Sequence, residues 1–196
     1  MVTIAGIDFG SKLAGTTVIA WQDEKGQAIW LQSQKKKDAD RFILDWATEN
    51  RPTTIYLDAP LSLPGVFREM AGYEDYFYRK GDRALRAMSP MFLGGLTARA
   101  MQLRHQLEAI AVQVCEVYPG ALAQHLAFPK GTYKKDKAYL APYANQLEEL
   151  YGLTIKKEAL QNWHQFDALL ALCSGIRHLA GEAQVHGDPE EGQIIV

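Results

Sequence analysis

Cysteine is scarce in this chain: Cys115 and Cys173 are its only two, each set in an apolar stretch with no second cysteine nearby. That excludes a disulfide framework and argues against a zinc site, and it points to buried thiols in a reducing compartment. Long apolar runs are missing too. None approaches the roughly eighteen residues that span a bilayer, and the first residues show no signal-peptide pattern, so a cytoplasmic protein with no membrane partner is expected. Net charge is nearly absent, at -2 near neutral pH. This argues against a basic coat for non-specific nucleic-acid binding but leaves room for a local basic groove. Internal repeats and low-complexity linkers are absent as well. What the 196 residues do hold is 47% apolar side chains, enough for a substantial core. Residues 1–196 are expected to form a single domain with an inserted segment at about 61–92.

The apolar pattern supplies the elements. Residues 2–9 and 14–21 are β-branched runs joined by a Gly10–Gly15 turn, which signals a hairpin, and 26–34 follows the "DEKG" turn as a third antiparallel strand. Residues 38–49 carry Phe42, Ile43, Trp46 and Ala47 at helical spacing. A strand over 53–60 ends at Asp58 and is stopped by Pro60. Residues 61–92 have no clean period and mix aromatics with arginines; irregular stretches of that length inside compact domains are often functional. Helices are expected over 93–109, about 137–151 and 162–182, a buried strand over 110–119, and a short final strand in the tail "GDPEEGQIIV". Three antiparallel strands followed by α-crossovers to two more give an α/β fold. Its sheet is mixed and five-stranded, three strands antiparallel and two parallel, with helices on both faces.

That order places four acids at informative points: Asp8 late in the first strand, Asp58 ending the fourth, Glu116 near the end of the fifth, and Asp167 in the last long helix. In right-handed crossovers the first, fourth and fifth strands run parallel, so their C-terminal ends share the sheet edge where ligands of open α/β sheets collect. Left unneutralised, such acids would repel one another and raise their own pKa values. Mg²⁺ or Mn²⁺ resolves the conflict, since hard divalent cations take oxygen ligands, and two of them about 4 Å apart can drive phosphodiester hydrolysis. Asp8, Glu116 and Asp167 are the candidate metal ligands, and Asp58 joins them as a candidate catalytic acid. Each has a plainer alternative: a turn residue or cap for the aspartates, and an arginine partner for Glu116.

Seven motifs, "GIDFGSKLAG", "IYLDAPLSLP", "YRKGDRALR", "CEVYPGA", "YKK", "FDALLAL" and "EGQII", occur in the order seen in the family labelled domain of unknown function 429. The chain resembles that family over about residues 4–195. The family is regarded as predicted nucleases of the RNase H-like fold, so the resemblance implies that fold and a metal-dependent nuclease acting on DNA or RNA. By the same resemblance Asp8 matches the first-strand metal aspartate, Glu116 a second acid of resolvase-like members, Asp167 the helix-borne acid, and Asp58 the family's "DAP" motif. Resolvase-like enzymes often carry two acids near the end, three residues apart. Here position 164 is His and position 170 is Leu. His164 is therefore a substitute ligand, a proton carrier or a helix-surface histidine.

Cations complete the reading. Arg79, Arg83 and Arg86 lie among Tyr76, Phe77 and Tyr78, a mixture suited to phosphates and stacked bases, or else to pinning the insertion through Asp75 and Asp82. Lys134 and Lys135 form a second basic loop able to meet a phosphate, and Lys12 sits in the opening hairpin. That hairpin resembles the phosphate-holding Asp-x-Gly-Ser turn of actin-like kinases, but the chain has no second copy of it. It is not a P-loop either: no Lys-Ser/Thr follows Gly15, and a strand comes next. Two other functions stay open at this level: a non-catalytic RNase H-like module that binds nucleic acid or protein, and a single-lobe nucleotide binder.

Overall fold

The computed structural model describes residues 3–129 and 131–196. In chain order it comprises β1 (Ile4–Asp8), β2 (Val18–Gln22), β3 (Ala28–Gln32), α1 (Ala39–Asn50), β4 (Thr54–Asp58), α2 (Lys80–Leu85), α3 (Pro90–Leu93) and α4 (Gly95–Glu108). After these come β5 (Gln113–Glu116), α5 (Pro119–His125), α6 (Leu140–Tyr151), α7 (Trp163–Leu179), β6 (Val185–Asp188) and β7 (Gly192–Ile195), with short 3-10 turns between. The main sheet has the order β3-β2-β1-β4-β5. β1, β2 and β3 pair antiparallel, while β1, β4 and β5 run parallel. This is the mixed five-stranded sheet flanked by helices that the sequence led us to expect.

β1 is buried along its whole length, as befits a strand covered on both faces. Alternate residues serve two cores. Ile4, Val18, Ala20 and Tyr56 pack under α7 with α5 and α6, while Ala5, Ile7, Ile19, Ile55 and Leu57 pack under α1 and α4. α1 starts where Asp38 accepts hydrogen bonds from the N–H groups of Asp40 and Arg41. α7 lies so close to the sheet that a Cβ on Gly6 would sit 2.0 Å from the Leu172 nitrogen, and one on Gly175 would sit 2.4 Å from the Tyr56 ring. Glycine at these two positions lets the helix backbone rest on β1 and β4, and this close seating delivers Asp167 to the sheet edge.

Three local expectations are revised. The tail forms an antiparallel hairpin, β6–β7, in place of a single strand, and Ile195 bridges to Val117. Pro119 opens a helix, α5, at its first position, where a missing N–H costs nothing. The segment 61–92 contains the short helices α2 and α3, too brief to show a period.

Candidate metal centre

β1 and β4 are paired in register with Asp8 opposite Asp58, so both carboxylates stand on the same face at the C-terminal ends of their strands. α7 crosses that face and adds Asp167 from its first turns. One oxygen from each of the three lies within 4.8 Å of the others. Asp8 and Asp167 are buried and Asp58 is half-buried.

The surroundings counter this charge unevenly. His164 Nδ1 lies 2.8 Å from Asp8 Oδ2. The Tyr133 hydroxyl donates to Asp167 Oδ1 at 2.6 Å, and Lys134 Nζ lies 2.5 Å from Asp167 Oδ2. Among the described residues none donates a hydrogen bond to the Asp58 carboxylate. Burial, then the charges of Asp8 and Asp167, push Asp58 well above the usual carboxylate range. Burial likewise raises Asp167 to about 6, with Asp8 adding to the rise and Lys134 opposing it. For Lys134 burial works against the charge, but Asp167, Asp58 and Asp8 outweigh it and hold the ammonium protonated above its ordinary value. The hydrogen bond to Asp8 raises His164 against its partial burial. Burial and the Asp167 charge keep Tyr133 protonated as a donor.

Three converging carboxylate oxygens, one of them without a donor among the described residues, suit a hard divalent cation. The residues present therefore fit a Mg²⁺ or Mn²⁺ ion, and Lys134 partly supplies the positive charge of one from within the chain.

Glu116 does not join them. Its register partner on β4 is Leu57, so it projects from the opposite face to Asp58. There Arg79 grips it with two bonds, Nη1 to Oε2 at 2.7 Å and Nη2 to Oε1 at 2.6 Å, and the Leu61 N–H donates to it at 2.8 Å. Arg79 also holds Asp82 through Nε and Nη2 and donates to Ser62. Glu116, expected as a metal ligand, sits instead in a buried ion-pair network, and the carboxylate gathered with those of Asp8 and Asp167 is that of Asp58. Arg79, expected to meet substrate, is fully buried and unavailable to it.

The other expected cations disperse. Arg83 pairs with Asp75 and lies 3.8 Å from the Tyr78 ring centre, as the pinned-insertion alternative has it. Arg86 is exposed at the end of α2. Lys12 turns to Asp38 and Asp40 at the start of α1. Lys134 alone of the six reaches the acids, with Lys135 exposed beside it. The sequence reading did not single out Tyr133, although its place immediately before the two lysines in "TYKK" was a usable signal.

No protein-family model matches the chain, so the resemblance to the domain of unknown function 429 stands on its motifs. No curated protein matches it either. One solved structure does, that of the Fowlpox virus resolvase in complex with substrate Holliday junction DNA. The two share 16% sequence identity and a TM-score of 0.40, over 91% of this chain and 99% of the viral one. Among the described residues no helix is long and apolar enough to cross a membrane.

Proposed function

We propose that this protein is a metal-dependent phosphodiesterase acting on nucleic acid, with Asp8, Asp58 and Asp167 holding Mg²⁺ or Mn²⁺. The convergence of these three carboxylates at the C-terminal edge of parallel strands carries the reading. A divalent ion bound there supplies activation of water and neutralisation of charge at phosphorus. The chain's own groups do the rest. Tyr133 fixes the orientation of Asp167 through its hydroxyl. Lys134 presents an ammonium that can move from Asp167 to a phosphate oxygen, with Lys135 adjacent to extend the positive surface. His164 holds Asp8 through Nδ1, and its half-exposed ring gives a path for a proton to solvent. Glu116 and Arg79 act away from the chemistry by tying the segment 61–92 to β5.

The test is Asp8→Asn assayed on labelled DNA and RNA oligonucleotides with Mn²⁺. Cleavage should disappear while the circular dichroism spectrum and cooperative melting persist. Undiminished cleavage by the variant would refute the assignment.

A further inference from the structure

Directly beside the triad lies a cleft of about 320 Å³ that Asp58 and Lys134 both line. The rest of its wall is largely apolar: Phe9, Pro60 and Leu96 form part of it, and Met88, which is 61% exposed, belongs to its border. The inserted segment also carries exposed rings. Phe92 adjoins the lining residue Leu93 and contacts Phe77 at 5.7 Å between ring centres, and both phenylalanines are more than half exposed. Arg83 lies against Tyr78, and Tyr78 meets Phe92 edge-on.

These features fit poorly with a duplex lying across the site. Duplex backbones are tracked by cations that meet phosphates in rows. Here Arg79 is buried, Arg83 is paired with Asp75, and the cleft next to the acids has a mostly hydrocarbon wall, on which Asp82 and Glu116 are both engaged by Arg79. A concave apolar space of this size with a few polar groups takes a flat neutral ring. A phosphate met by Lys134 beside the triad, where a divalent ion would offset the carboxylates, would have its neighbouring nucleoside at the mouth of this cleft. A paired base is stacked in its helix and would have to be pulled out at a cost of a few kcal/mol, whereas an unpaired base enters freely.

We infer that the cleft seats an unstacked nucleobase flanking the scissile phosphate, so that the substrate is single-stranded or carries an unpaired nucleotide at the cut. The inference rests on the phosphodiesterase reading of the triad and deepens it. It makes the apolar wall a determinant of substrate class, with Phe77 and Phe92 offering a stacking surface for the next bases along the strand.

The experiment compares three probes of one mixed sequence: the single strand, its perfect duplex, and the same strand with abasic residues replacing the bases. Binding is read by fluorescence anisotropy in Ca²⁺ and cleavage in Mn²⁺. The single strand should be bound and cut about tenfold better than either the duplex or the abasic strand, as about one stacked base would give. Leu96→Trp, which fills the cleft, should abolish the difference between base-bearing and abasic strands. Met88→Trp at the exposed border gives the same readout without touching the core. Equal treatment of single strand and duplex, or of base-bearing and abasic strands, overturns the inference and leaves the phosphodiesterase reading standing. Failure to bind or cut any of the three probes overturns both.

Discussion

Replacing Asp167 by asparagine should make the metal-free protein more stable at neutral and alkaline pH, although it removes an ion pair. Burial first, and then the neighbouring Asp8, hold this carboxyl at about 6 in the fold against an ordinary 3.8. That difference corresponds to about 3 kcal/mol of folding stability. The direction follows from linkage: a raised carboxyl contributes stability that is complete below its unfolded value and is lost as pH rises through the folded one. The contribution is therefore present below about 3.8 and gone above about 6. Asp58, also raised by burial and by its acidic neighbours, and His164, raised by Asp8, shift stability in the same sense. Asparagine keeps an oxygen to accept from the Tyr133 hydroxyl and carries no charge to bury. Lys134, half-exposed, returns to water. For a chain of this length the gain amounts to a melting temperature about 6–12 °C higher at pH 8, shrinking towards pH 4. The assay is thermal denaturation of both proteins across that range in EDTA, repeated with Mn²⁺. The ion should stabilise the wild type at pH 8, by about 2.7 kcal/mol at a hundredfold excess over its Kd, and should leave the variant nearly unmoved. A variant that melts below the wild type at pH 8 in EDTA would mean that Lys134 fully compensates Asp167, and the argument from mutual repulsion would be lost.

Three further substitutions probe the other parts of the construction. Lys134→Gln removes the ammonium that competes for Asp167, so titration calorimetry should show tighter Mn²⁺ binding while oligonucleotide cleavage slows. Arg79→Met leaves Glu116 and Asp82 buried without their cation and should cost about 3–5 kcal/mol in urea denaturation, with Mn²⁺ affinity retained by the protein that remains folded. Gly6→Ala drives a methyl group into the α7 backbone at Leu172 and should destabilise by more than the roughly 1–3 kcal/mol of ordinary overpacking. It should also weaken Mn²⁺ binding, because α7 carries Asp167 away as it lifts.

The sheet was legible because its strands announce themselves locally. Apolar runs bounded by Gly10–Gly15, "DEKG" and Pro60 gave the hairpins and the edge of β4, and the helical spacing of Phe42, Ile43, Trp46 and Ala47 gave α1. Where the reading failed, the organising contacts join distant parts of the chain. The segment 61–92 has no period because it is held by single polar side chains from far away. Glu191 accepts from the N–H groups of Gly65 and Lys80, and Glu116 binds Arg79 across the sheet edge. The tail forms a hairpin because β6 and β7 pack against α2, an element only six residues long whose own sequence gives no helical stripe. Pro119 looked like the end of a strand and is also the beginning of a helix, two roles that the same ring geometry allows.

The site was legible in its members but not in their grouping, and the reason is parity. In a parallel sheet a side chain's face depends on its register, and a shift of one residue reverses it. "GID" and "YLD" end on matched residues, so Asp8 and Asp58 agree; Glu116 pairs with Leu57 and is thereby turned away. Charge then separates the four acids in the same way. Glu116 has a guanidinium forked onto it, Asp8 has His164, and Asp167 has Lys134 with a tyrosine hydroxyl. Asp58 alone of them has no such partner among the described residues, although burial makes an unneutralised carboxylate costly there. A fold that forks a buried arginine onto one acid, and among the described residues gives another only the field of a nearby lysine, has left the second to a proton or to a cation from solution. With two more carboxylates within 4.8 Å, a divalent cation would satisfy all three together, as the proposed phosphodiesterase needs.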